Sequence, residues 1–171
     1  MKRNPLSAFL PRGAAAALGA PKVKRKRVWQ TAPVRAAPPA DVVELALATI
    51  GAPRGQRVIL DYPPNILSLN ARPPRHLKAK AAAKYRSDCK ALTLAARLKA
   101  PAAGDFAVRI DFFPPDRSRR DDDEPLGRFK AGQDGVADAL KVDDRRFRPD
   151  WKVHRQPLGC IVFTIIEGSA A

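Results

Sequence analysis

Eight of the 17 acidic residues in this chain are crowded into one stretch, Arg119 to Asp144 (RRDDDEPLGRFKAGQDGVADALKVDD), although the formal net charge of the whole is +15. They are Asp121, Asp122, Asp123, Glu124, Asp134, Asp138, Asp143 and Asp144. The stretch constrains the fold because its two halves demand different surroundings. Leu126, Phe129, Val136, Ala137 and Leu140 recur at helical spacing and need a core to pack on. The aspartate run ahead of them has to stay on an outward turn, and Pro125 suits the first turn of the helix because its missing N–H would be unpaired there. A surface that holds polyanions has reason to keep carboxylates off phosphate, unless a divalent cation lies between the two and changes the local sign. Mg²⁺ and Mn²⁺ take oxygen ligands of this kind. A solvated turn, with acids favoured at a helix start, accounts equally well for the aspartate run taken alone.

The flanking segments supply the scaffold. Asp105 to Phe113 (DFAVRIDFF) alternates apolar and polar residues and reads as a strand that stops at Pro114-Pro115. The acid run therefore falls just beyond a strand end, on the turn into a helix. Lys130 and Asp134 are four apart on that helix, an ordinary exposed ion pair in one reading. In the other, Lys130 points back toward Asp121–Asp123, because helical side chains lean N-terminally. Two more strands are expected at Phe147 to His154 and Gly159 to Ile166. Upstream, Arg57 to Tyr62 reads as a first strand, Asn65 to Pro74 as a loop, and Arg75 to Leu98 as an amphipathic helix with Leu77, Ala81, Tyr85, Cys89, Leu92 and Ala96 as its apolar stripe. The expected class is α+β: a small mixed sheet of about four strands packed against two main helices.

Charge narrows the function. With 32 Lys and Arg against 17 Asp and Glu, the fitting partner is a polyanion, nucleic acid before membrane. Residues 1–55 carry ten basic residues against Asp41 and Glu44 and are rich in Ala and Pro, which marks a largely disordered extension ahead of a domain at 56–168. Within the extension, Lys22 to Arg27 is a basic cluster suited to phosphate, and Trp29 beside it is suited to stacking on a base. Asp41 to Ile50 reads as a short helix capped by Asp41. Asn65 to Lys99 holds nine basic residues against Asp88 alone; its face is either a solubilising surface or a DNA-backbone contact, and the charge balance favours contact. Cys89 and Cys160 are too few and too isolated for a disulfide framework or a zinc site and read as core thiols. No apolar run approaches membrane-spanning length, and Leu6 to Leu10 is too short for a secretory signal, so a cytoplasmic protein is expected. His76 and His154 lack an acidic neighbour in sequence and are expected on the surface or against DNA.

In order along the chain, these features resemble RusA-type Holliday-junction resolvases, particularly the phage-encoded members. Arg119-Arg120-Asp121-Asp122-Asp123-Glu124 matches the family's Arg-rich turn with Asp-x-Asp. Lys130, Asp134-Gly135-Val136 and Asp143-Asp144 match its helix lysine, Asp-Gly pair and closing Asp-Asp. Leu67-Ser-Leu-Asn70 with the basic helix after it looks like the family's N-terminal portion. The likeness covers about Val58 to Glu167. It implies a Mg²⁺- or Mn²⁺-dependent endodeoxyribonuclease, acting as a homodimer on four-way DNA junctions. Asp121, Asp123 and Asp144 would be the catalytic metal-binding carboxylates and Lys130 the catalytic lysine. Glu124 would be a further acidic ligand or would alter metal affinity, and Asp122 and Asp143 are neighbours whose roles a register slip of one would exchange with those of their partners. Arg72, Arg75, Lys78, Lys80, Lys84, Arg86, Arg117, Arg119 and Arg120 are the expected DNA contacts. The family usually carries Asn where this chain has Glu124, which keeps open a branched-DNA-binding protein without cleavage. A basic packaging or ribosome-associated protein is a third possibility, suggested by the N-terminal composition, but it leaves the acid cluster unexplained.

Overall fold

β-Branched and aromatic residues concentrate in four short runs, and these become the strands. The computed structural model describes residues 37–117 and 124–170, the last four by their backbone. In chain order the elements are α1 (Ala40–Thr49), β1 (Gly55–Asp61), α2 (Arg75–Ala95), β2 (Phe106–Phe113), α3 (Glu124–Leu140), β3 (Phe147–Val153) and β4 (Cys160–Ala170). Short 3-10 turns occupy Asn65–Leu67 and Asp144–Arg146. The sheet order is β1-β4-β2-β3; β4 runs antiparallel to β1 and β2, whereas β2 and β3 are parallel. The fold is α+β with a small mixed sheet, as the sequence leads one to expect.

The parallel pair governs where the site lies. Parallel neighbours need a long crossover, and α3 provides it. β2 ends at Phe113, α3 runs back across the sheet, and Asp144 lies just ahead of β3. Alternation along β2 sends Phe106, Val108, Ile110 and Phe112 into one core with Tyr85, Phe129, Val136, Ile161 and Phe163, beneath α2 and α3. Phe129 stands edge-on to both Tyr85 and Phe112, with ring centroids 6.4 and 6.0 Å away.

The opposite face is covered earlier in the chain than composition suggests. Val43 and Leu47 of α1 pack with Phe113, Cys160 and Val162, and the Ala37 backbone N–H donates to Asp61 Oδ1 at 3.0 Å. Residues 37–55, assigned by composition to the extension, thus include a helix of the folded unit. Asp41 does not cap that helix: Pro39 holds the cap position with no side-chain cap bond, and Asp41 sits in the first turn, where a carboxylate still opposes the helix dipole favourably. Residues 1–36, with Lys22 to Arg27 and Trp29, lie outside the described residues.

In α2 the buried stripe is Ala81, Tyr85, Cys89 and Thr93, while Leu92 is exposed. Strict spacing of four carries the face to Thr93, and its hydroxyl is satisfied by donating to the Cys89 carbonyl at 2.8 Å. Both cysteines are free, and burial pushes their thiols up to about 12, as inert core groups should behave. Among the described residues no helix is long and apolar enough to cross a membrane.

Helices α2 and α3 cross closely because glycines let them. A Cβ at Gly135 would stand 2.3 Å from the Arg86 carbonyl oxygen, and one at Gly132 would meet the Tyr85 ring at 2.8 Å. The Arg86 oxygen belongs to helix backbone and cannot yield cheaply. Gly135→Ala is therefore expected to destabilise the protein by about 1–3 kcal/mol, despite alanine's better helix propensity. Urea unfolding checks this, and a midpoint equal to or above wild type would show that the helices have room.

Candidate functional site

The exposed lysine of α3 is the centre of the site. Lys130 Nζ donates to Asp134 Oδ1 at 2.9 Å, one helical turn on, and also to Asp144 Oδ2 from the turn before β3. The side chain thus reaches C-terminally, not back toward Asp121–Asp123 as the lean of helical side chains alone suggests. A flexible four-carbon stem lets two carboxylates override that bias. Partial burial works to lower the Lys130 pKa, but the bonds to Asp144 and Asp134 outweigh it, and the net shift is upward. The same bond holds the Asp144 carboxyl below its ordinary range, against a smaller desolvation effect. Both groups are charged at neutral pH.

The geometry separates the two adjacent aspartates. Asp143 caps the 3-10 turn, accepting the Arg145 backbone N–H at 2.9 Å, and is exposed. Asp144 is the one that meets Lys130. Asp143 and Asp144 line a surface hollow of about 360 Å³ together with Arg86, Asp134, Ala137 and Asp138. Across it the Arg86 guanidinium grips Asp138 through two bonds, Nε at 2.7 Å and Nη2 at 2.8 Å, which tie α2 to α3. The hydrogen bond from Arg86 keeps the Asp138 carboxyl below its usual range.

Asp121 and Asp123 lie outside the described residues, as do Arg119 and Arg120. Glu124, the first residue of α3, faces inward: its side chain is 12% exposed, Oε1 lies 4.0 Å from Arg128 Nη1, and Oε2 is buried without a hydrogen-bond partner among the described residues. Arg128 is buried too. Its Nε donates to the Pro64 carbonyl at 3.2 Å, and its Nη2 donates to Asn65 Oδ1 at 2.6 Å and to the Pro63 carbonyl. The guanidinium also sits 5.2 Å from the centroid of the Tyr62 ring. This arginine locks the start of α3 onto the loop after β1. Sequence reasoning missed it; the only trace was a cation on the apolar side of a helix, four residues after Glu124.

The donors fit a hard divalent cation in kind. Asp134 and Asp144 present carboxylate oxygens to one ammonium, so those oxygens lie no more than about 6 Å apart. Among the described residues no group of three or more metal-type ligands is gathered. Of the expected DNA contacts, Arg72, Arg75, Lys80, Lys84, Arg86 and Arg117 are exposed. Lys84 is paired with Asp88 at 2.6 Å, Arg86 is committed to Asp138, and Lys78 is half-buried, donating to the Ser68 carbonyl at 3.3 Å.

His76 is exposed, but His154 is not: it is buried with Nε2 2.7 Å from Asp111 Oδ1, its ring stacked on Phe113 at 4.7 Å. The parallel pairing of β2 with β3 brings this acid to it from 43 residues away, a partner that inspection of chain neighbours does not reveal. Arg109 Nε shares the same oxygen at 3.1 Å, and Asp111 Oδ2 has no hydrogen-bond partner among the described residues. The pair lies on the sheet face away from α2 and α3 and locks the end of β2 to β3.

Because Arg86 lowers the Asp138 pKa, this carboxylate contributes stability at neutral pH that is lost as pH falls through the depressed folded value. Asp138→Asn is expected to lower the melting temperature slightly at pH 7, with the gap closing toward pH 2; circular dichroism melts check this, and a gap that persists in acid would show that the ion pair is not its source. No protein-family model matches the chain. It is 39% identical over 105 residues, 60% of its own length and 69% of the relative's, to a protein of Xylella fastidiosa (strain Temecula1 / ATCC 700964) described as uncharacterized, and it belongs to the same family as that protein.

Proposed function

We propose that this protein is a Mg²⁺- or Mn²⁺-dependent endodeoxyribonuclease that resolves four-way DNA junctions by paired nicks, acting as a homodimer in the cytoplasm. The observation that carries the reading is the meeting of Lys130 with Asp134 and Asp144. Lys130 bonds to Asp134 and Asp144, and Asp134, Asp143 and Asp144 line one hollow; these positions match the lysine, the Asp of the Asp-Gly pair and the closing Asp-Asp of the resolvase pattern.

Phosphodiester hydrolysis needs an attacking water made more acidic, charge on the pentacovalent phosphorus neutralised, and the departing oxygen stabilised. The bound cation would supply the first two. Asp144, ionised at neutral pH beside Lys130, would hold it together with Asp121 and Asp123. Lys130 would contribute a compact positive charge for the departing oxygen. The basic face of α2 would hold the backbone of a DNA arm without reading sequence. Two nicks in a nearly two-fold junction call for two equivalent sites, which an isologous dimer provides.

A second reading, a branched-DNA binder without cleavage, draws on Glu124: the acid replaces an Asn of the pattern and is packed against Arg128. One experiment separates the two. The purified protein is incubated with a synthetic four-way junction over a range of Mg²⁺ concentrations, beside Asp123→Asn, Asp144→Asn and Lys130→Ala. Nuclease function predicts paired cuts by wild type, loss of cutting with retained binding in both aspartate variants, and a rate lower by about 10²–10³-fold in Lys130→Ala. Unchanged cutting by Asp144→Asn would overturn the site. Wild-type protein that shifts the junction but never cuts it would favour the binding reading.

A further inference from the structure

The far edge of the sheet carries a second feature. β3 is an edge strand, and Arg148, Pro149, Asp150, Trp151 and Lys152 are all exposed, so neither of its faces is covered along that run. Trp151 is 40% exposed. A large aromatic on an edge strand often signals the addition of another strand, but Pro149 withdraws a backbone donor and the charged neighbours oppose such pairing. The surroundings are strongly basic. Between Arg145 and Arg155 five cations (Arg145, Arg146, Arg148, Lys152, Arg155) stand against one carboxylate, Asp150, and Arg109 already engages it. Arg148 is paired with Asp105, and Arg146 donates to the carbonyls of Gly104 and Pro101. Arg145, Lys152 and Arg155 are exposed, and no ion pair among the described residues engages them.

We propose that this edge binds a strand of DNA, with Trp151 stacking on an unpaired base while Arg145, Lys152 and Arg155 hold phosphates. An exposed aromatic set among uncommitted cations is the arrangement that binds single strands with little regard to sequence, because every base offers a flat face. Asp144 opens the turn into β3, and Trp151 follows seven residues later, at most about 20 Å away along the chain. At about 3.4 Å of rise per stacked nucleotide, no more than about six nucleotides would separate a base on Trp151 from the hollow. The strand bound would be one that leaves the branch point, where bases lose their partners. The inference rests on the nucleic-acid reading of the protein, not on cleavage.

Binding of a labelled oligothymidylate in EDTA, followed by fluorescence anisotropy, tests it without the nuclease step. Trp151→Ala is expected to weaken binding by on the order of 10-fold, whereas Trp151→Phe keeps most of the affinity. Lys152→Ala is expected to reduce the slope of log affinity against log salt by about one. Circular dichroism melts confirm that each variant is folded, which the exposure of both side chains favours. Wild-type affinity in Trp151→Ala would overturn the proposal; if sedimentation also showed a changed oligomeric state, the edge would instead be a contact between copies. Failure of the wild-type protein to bind any oligonucleotide would overturn the nucleic-acid reading itself and this inference with it.

Discussion

The arrangement depends on how closely two helices cross. At Gly135 the backbone of α3 lies against the Arg86 carbonyl of α2, at a separation that leaves no room for a side chain. That contact sets the height of α3 over the sheet and brings Arg86 within two bonds of Asp138. One turn earlier on α3, Asp134 and Lys130 follow on the same flank, and Asp144 returns to them from the start of β3. A wider crossing would keep these residues and part Arg86 from Asp138. The glycine therefore acts on the candidate chemistry through distance alone.

Charge is distributed with the same economy. In a chain of net charge +15, three of the described carboxylates around the hollow are paired with cations: Asp138 with Arg86, and Asp134 and Asp144 with the one Lys130. Glu124 lies by Arg128 but keeps one buried oxygen unbonded among the described residues. Such exposed pairs contribute little to stability. Their weight is local, since they hold carboxylates ionised within a basic surface and keep the sign of the hollow open to change by a cation. Arg128 differs in kind. It is buried and bonded to the loop after β1, so removing it would strand the carbonyls of Pro63 and Pro64 as well as a helix start.

Much of the fold was legible because its signals are local. The runs that became β1 to β4, the apolar stripe of α2, and Pro125 at the head of α3 follow from periodicity and backbone chemistry. The helix at Ala40–Thr49 was legible too, but its membership in the folded unit was not, because Val43 and Leu47 find their partners on strands far along the chain. Long-range placement hid the rest. The direction of Lys130 depends on where Asp144 returns, the partner of His154 on a parallel strand pair, and the burial of Arg128 on a loop more than sixty residues earlier. Of the three aspartates that the resolvase likeness marks for metal, Asp144 is bonded to Lys130, and Asp121 and Asp123 lie outside the described residues.

If the protein is the nuclease proposed above, one divalent cation joins Asp144 to Asp121 or Asp123. Crystals soaked in Mn²⁺ and measured at its absorption edge locate that ion directly. An anomalous peak is expected at about 2.0–2.2 Å from an Asp144 oxygen and from an oxygen of Asp121 or Asp123, the range typical of hard, octahedral divalent cations. A fully soaked crystal with no peak at Asp144, or with the turn's carboxylates directed away from it, would contradict the account.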